Sequence, residues 1–185
     1  MVRQLTSRVN ALSMISSRGD FRTKLMVANG IVVSKICYLI QLWGGCEGYL
    51  LHTLQVLLNK AARVVTGFSC FTLTRKLLDT CGWLSVKQLV MYQTTIMVHK
   101  TFQTSKPLYL HSRLSNEHSY RTRQQTSGCI RMDNSFRYKG DIPRNSFRCR
   151  GANSYNSIPA EIRASLTMVT FKSKLRKWIK INISL

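Results

Sequence analysis

Acidic residues are scarce in this chain. Only 7 of its 185 residues are Asp or Glu, against 28 Lys and Arg, which leaves a formal net charge of +21. Asp20, Glu47, Asp79, Glu117, Asp133, Asp141 and Glu161 are also scattered, with no two of them within six residues of each other. Two-metal chemistry on phosphodiesters needs several carboxylates in one place, so the chain has few to spare for it. Zinc motifs are missing as well. Among Cys37, Cys46, Cys70, Cys81, Cys129 and Cys149 no pair has the C-x2-C or C-x4-C spacing of a finger or knuckle. The opening "MVRQLTSRVNAL" is amphipathic rather than an apolar run, so no secretory leader is expected. An intracellular chain, nuclear or cytoplasmic, with reduced and buried thiols is the expectation, and a disulfide framework is the alternative.

Long apolar runs are missing too. The stretch from Leu25 to Trp43 is interrupted by Asn29, Gly30, Lys35 and Gln41. A charge near the middle of a span costs about 2.5 to 3.5 kcal/mol on insertion scales. The stretch therefore reads as a helix buried on most sides of a protein core, and no membrane span is expected. Catalytic motifs do not occur: there is no G-x-S-x-G, no H-E-x-x-H and no paired carboxylates. His52, His99, His111 and His118 have no acid or cysteine at a helical spacing that suggests a site. His99 lies in an apolar helical stretch and reads as structural. No catalysis, metal, cofactor or small-molecule substrate is expected.

What the chain does contain is helical periodicity. With 44% hydrophobic residues it can bury a sizeable core. Val2, Leu5, Val9 and Leu12 make one apolar stripe over residues 2–17. A second helix is expected from Phe21 to Trp43, broken by "GGCEG", which lacks the Lys-Ser/Thr of a phosphate loop and reads as a turn. A third runs from Tyr49 to Thr66, with Leu50, Leu54, Leu57, Leu58, Ala61, Val64 and Val65 on one face and Gly67 as its C-cap. A helical turn over Leu73–Thr80 follows, ended by Gly82. Ser85 is placed to cap a fifth helix from Val86 to about Phe102, closed before Pro107.

The character then changes. Residues 1–105 hold 12 Lys and Arg against 3 acids, and residues 106–185 hold 16 against 4. Over 115–156 the helical period fades. Short strands are expected at "CIRM", "SFRYK" and "SFRCR", where Arg137, Lys139, Arg148 and Arg150 adjoin Phe136, Tyr138 and Phe147. A strand with one cationic face and a disordered arm both fit. Past it, Pro159 suits a first helical turn, with Glu161 facing the dipole. Thr167 is a candidate N-cap. The helix after it carries a stripe of Met168, Phe171, Leu175 and Trp178, with Ile179 at its edge. Lys172, Lys174, Arg176, Lys177 and Lys180 take the other faces. Each alone reads as solvated, and together they read as a polyanion-binding surface.

In order, "LQVLLNKAARVVTG", "LLDTCGWLSVKQLVMYQTTIMVHKTF", "YRTR" and "YNSIPAEIRASLTMVTFKSKLRKWI" resemble the C-terminal part of reverse transcriptases of non-LTR retrotransposons. The family's segments read much like L-x-x-x-Q-N-x-A-A-R, L-G-W-L-x-V, Y-x-L-R and W-N-S-L-P-x-x-I-R…F-K-x-x-L-K. The stretch from Arg8 to Gly45 looks like the helices that follow the polymerase palm, so the likeness covers nearly the whole chain. It departs where chemistry would reside. No two Asp are adjacent, the fingers, palm and endonuclease are absent, and Tyr155 stands where the family has Trp.

The resemblance implies a mainly α fold. A thumb-like helical bundle over 1–105 precedes a basic region over 106–185, irregular or short β over 115–156 and helical over 159–182. It implies a non-catalytic fragment, as a truncated or decayed reading frame would give, that binds RNA or DNA by the backbone. Lys60 and Arg63 of "NKAAR", and Arg121 and Arg123 of "YRTR", carry over as candidate backbone contacts, with a solvated helix face as the other reading of Lys60 and Arg63. A second expectation is a protein-interaction module docking its Phe171–Leu175–Trp178 stripe on a separate palm. A peripheral membrane binder through the basic tail is a third.

Overall fold

The computed structural model describes residues 2–15, 19–114, 130 and 146–183. Every regular element among them is helical. Backbone contacts divide the chain into two compact units at Val90/Met91, upstream of the compositional change at 105/106.

In the first unit, α1 (Val2–Ile15) buries Leu5, Val9 and Leu12, with Val2 half-buried. The expected single helix from Phe21 to Trp43 is corrected to several pieces. α2 (Phe21–Ala28) starts at Asp20, whose carboxylate accepts from the Thr23 N–H. It runs into a π-helical turn, Asn29–Val33, and on through α3 (Ser34–Cys37). The chain breaks at Tyr38–Leu39, where Leu39 takes φ 50°, and resumes as α4 (Ile40–Trp43). Two distant side chains hold the π turn. The Trp83 indole donates to Asn29 Oδ1 at 2.8 Å, and Arg8 Nη1 donates to the Ile31 carbonyl at 2.9 Å.

Burial of this stretch is one-sided, contrary to expectation. Ala28, Val32, Ile36 and Ile40 are fully buried, four residues apart. In an α-helix such a row drifts by about 40° per step, and the extra residue of the π turn takes up part of that drift. Met26, Tyr38, Leu39 and Leu42 face outward. Gly44 follows, so tightly packed that a Cβ there would lie 2.5 Å from the Ile40 carbonyl oxygen and 2.7 Å from Val90 Cγ1.

α5 (Gly48–Thr66) buries Leu54, Leu58, Ala61, Ala62 and Val65 and ends at Gly67, with φ 71°. α6 (Thr74–Cys81) ends in a Schellman motif. The Trp83 N–H reaches the Leu78 carbonyl at 2.8 Å and the Gly82 N–H reaches Asp79 at 3.0 Å, with Gly82 at φ 68°. A capping box opens α7 (Val86–Thr104). Ser85 Oγ accepts from the Gln88 N–H at 3.2 Å, and Gln88 Oε1 accepts from the Ser85 N–H at 3.0 Å. Gln55 Oε1 takes the Val86 N–H at 2.8 Å. The stretch "CGWLSV" is thus a helix-to-helix junction in which the Gly82, Trp83, Ser85 and Val86 N–H groups are hydrogen-bonded.

In the second unit α7 continues, followed by α8 (Leu108–Leu114), α9 (Phe147–Asn156), α10 (Ala160–Arg163) and α11 (Met168–Asn182). One core gathers Val98, Leu110, Leu114, Ile130, Ala152 and Tyr155. Another gathers Ile158, Ile162, Phe171, Leu175 and Ile179, with Met91, Tyr92 and Ile96 of α7 packed against it. "SFRCR" is corrected from strand to helix: Ser146 caps α9 by accepting the Cys149 N–H, and Tyr155 and Ala152 bury two turns on. Gly151 permits the close approach, since a Cβ there would sit 3.0 Å from Val98 Cγ2. Of "CIRM" only Ile130 is described, and it lies in no strand; "SFRYK" falls outside the described residues. Asn156 grips the Ile130 main chain from both sides, accepting its N–H at 2.8 Å and donating to its carbonyl at 2.7 Å.

Candidate nucleic-acid interface

Among the described residues the candidate cations fall into three groups. Lys60 and Arg63 lie on α5. Lys60 is exposed, and its ammonium donates to Asn10 Oδ1 at 3.1 Å. Arg63 is half-buried, and its Nη2 donates to the Cys70 carbonyl at 3.4 Å. Both side chains therefore bind their own unit, Lys60 tying α5 to α1 and Arg63 bracing the loop after Gly67.

The second group is on α11, where Thr167 caps the helix as expected, accepting the Thr170 N–H at 3.3 Å. Phe171, Leu175 and Ile179 form the buried line, at four-residue spacing; Trp178 and Met168 flank it, half-buried. Lys172, Lys174, Arg176 and Lys177 are all exposed. At about 100° per residue they spread over roughly 200° of the helix opposite that line. Arg176 lies close enough to oppose the upward shift that burial gives the Tyr92 hydroxyl. The stripe expected to serve a missing partner is occupied within the unit. Phe171 stacks on His99 of α7 with ring centroids 3.7 Å apart and planes 7° from parallel.

Arg148 and Arg150 make up the third group, half-buried on α9. Arg121, Arg123, Arg137 and Lys139 lie outside the described residues.

His99 is structural in its surroundings. It is buried, its Nδ1 lies 3.4 Å from the Tyr155 hydroxyl, and Nε2 meets no hydrogen-bond partner among the described residues. Burial pushes its pKa below the ordinary 6.5. The thiols depart from expectation. The five described form no disulfide with one another, and only Cys81 is buried, which pushes its pKa up to about 11; Cys70 is exposed. Among the described residues no three His, Cys, Asp or Glu side chains come together to hold a metal, and no helix is long and apolar enough to cross a membrane.

Two sets of residues escaped the sequence reading. Asn156 sits in the quoted "YNSIP", but its grip on Ile130 spans 26 residues and leaves no local signal. Arg75 and Lys76 follow the aromatic loop "GFSCFTL" after Thr74; both are exposed, and Lys76 Nζ lies 5.7 Å from the Phe68 ring centroid. That adjacency of basic and aromatic residues was the available clue. Comparison with protein-family models, curated proteins and solved structures finds no match to this chain.

Proposed function

We propose that this chain is a non-catalytic fragment of a retroelement reverse transcriptase that holds RNA or DNA by its sugar-phosphate backbone, without reading sequence. The observation that carries this reading is the outer face of α11. Four cations are exposed there within six residues, on a helix with no acid, anchored through Phe171, Leu175 and Ile179. Charges held on a packed helix meet phosphates with less ordering cost than charges on a free tail. Phosphate contacts position a strand and carry no sequence information. The order of the motifs supports the retroelement origin. The scatter of seven acids, with no adjacent aspartates, supports the absence of polymerase chemistry. If about six to ten phosphates are contacted, affinity for a duplex falls by roughly 10³ to 10⁵ between 50 and 200 mM salt. Affinity that stays flat over that range contradicts the reading.

A second reading is docking on a separate polymerase palm. The observation favouring it is in the first unit, where Leu42, Met26, Tyr49 and Tyr38 are 71%, 67%, 65% and 64% exposed. Co-expression with an upstream palm domain tests it: a complex that survives gel filtration supports docking, and separate elution counts against it.

A further inference from the structure

The loop between α5 and α6 presents an aromatic side chain among cations. Phe71 is 92% exposed, a large cost in apolar hydration for a side chain that contributes no core contact. Yet the loop around it is braced. The Thr72 N–H bonds the Ser69 carbonyl at 3.1 Å, the Phe71 N–H approaches Ser69 Oγ at 3.4 Å, and Arg63 holds the Cys70 carbonyl. Phe68, in the same loop, is half-buried with Lys76 over its ring. Arg75 and Lys76, in the first turn of α6, stand four and five residues beyond Phe71, and residues 48–78 contain no acid at all. A protein partner would need acids to match that charge. A nucleic acid strand brings phosphates and flat bases together.

We infer that Phe71 is a stacking site for an unpaired base of RNA or DNA, with Arg75 and Lys76 taking the flanking phosphates and Arg63 positioning the loop. This rests on the nucleic-acid reading above and deepens it to single-stranded substrate. Base–aromatic stacking tolerates any base, since each has a π-face, which suits a protein that does not read sequence.

The test uses the full chain, an oligouridine of about 15 nucleotides and a long duplex, each measured by fluorescence anisotropy. Phe71→Ala lowers affinity for the oligouridine by about 5- to 100-fold, leaves duplex affinity within about twofold, and leaves the salt slope on both unchanged. Phe71→Trp restores single-strand binding. Cys70, exposed beside Phe71, is shielded from alkylation by the oligouridine, read by peptide mass spectrometry on the unmutated chain. If the unmutated chain binds neither polymer, the broader reading falls and this one with it. If it binds both with steep salt dependence while Phe71→Ala changes nothing, or weakens both equally, only the stacking site is overturned. Cys70 labelled at the same rate with and without bound oligouridine overturns it too.

Discussion

The two units treat their candidate cations differently. In the first, Lys60 donates to Asn10 and Arg63 to the Cys70 carbonyl, so both serve local structure. In the second, Lys172, Lys174, Arg176 and Lys177 stand exposed on one helix whose opposite face is packed. Charge counts alone do not separate these cases, because both halves of the sequence carry a positive excess. What separates them is placement: Lys60 and Arg63 bond groups elsewhere in their own unit, and the four cations of α11 stand together on the exposed face of a single helix. A cation that bonds its own chain must break that contact to meet a phosphate. Apolar exposure does not separate the units: the first leaves Tyr38, Leu42 and Tyr49 outward, and the second, although it packs the Phe171 line of α11, leaves Leu108, Tyr109, Leu166, Val169 and Ile181 outward.

The sharpest way to break this contrast is to unseat the cationic helix. Phe171→Ala removes a fully buried ring and its stack on His99, and costs about 3 to 5 kcal/mol. Lost amide protection along α11 reads the effect by hydrogen exchange. In the first unit, Gly44→Ala forces a Cβ against the Ile40 carbonyl and Val90, at a cost of about 1 to 3 kcal/mol; denaturant unfolding measures it. Asn156→Ala removes both bonds to the Ile130 main chain and costs about the same, 1 to 3 kcal/mol, seen as faster exchange at the Ile130 amide.

A smaller effect separates the second unit by pH. His99 has a native pKa below its unfolded value, because burial disfavours the imidazolium. The unfolded chain therefore binds the proton more readily, and stability rises with pH across that window. His99 contributes fully above about 6.5, and its contribution is lost as pH falls from there through the native value. Unfolding of the parent and His99→Phe chains from pH 7.5 to 5 checks it. The variant loses that part of the slope. The smallest effect is expected at Lys60→Gln, an exposed contact whose loss changes stability by less than about 0.5 kcal/mol.

Much of the helical frame was legible because the signals were local. Gly67 and Gly82 end helices in the left-handed region, Ser85 and Thr167 cap the next ones, and Leu5, Val9 and Leu12 bury as their spacing predicts. The failures have long-range causes. The π turn at Asn29–Val33 is held by Trp83, 54 residues away, and the break at Leu39 contains neither Gly nor Pro. α9 was misread because Gly151 and the Ser/Asn/Arg-rich sequence around it suppress helical periodicity, while that glycine is what admits the helix to Val98. The candidate site was legible on α11, where one amphipathic helix holds both the anchor and the charge. It was not legible at Arg63 or Phe71, whose exposure and partners are settled by the fold of the loop between them.

The salt dependence of duplex binding tests the central claim most directly, measured for the parent chain and for Lys172→Gln/Lys174→Gln/Arg176→Gln/Lys177→Gln. With four phosphate contacts removed at roughly 0.9 each, the slope of log affinity against log salt becomes shallower by about 3 to 4. Equal slopes for the two proteins, with α11 still folded, contradict the account.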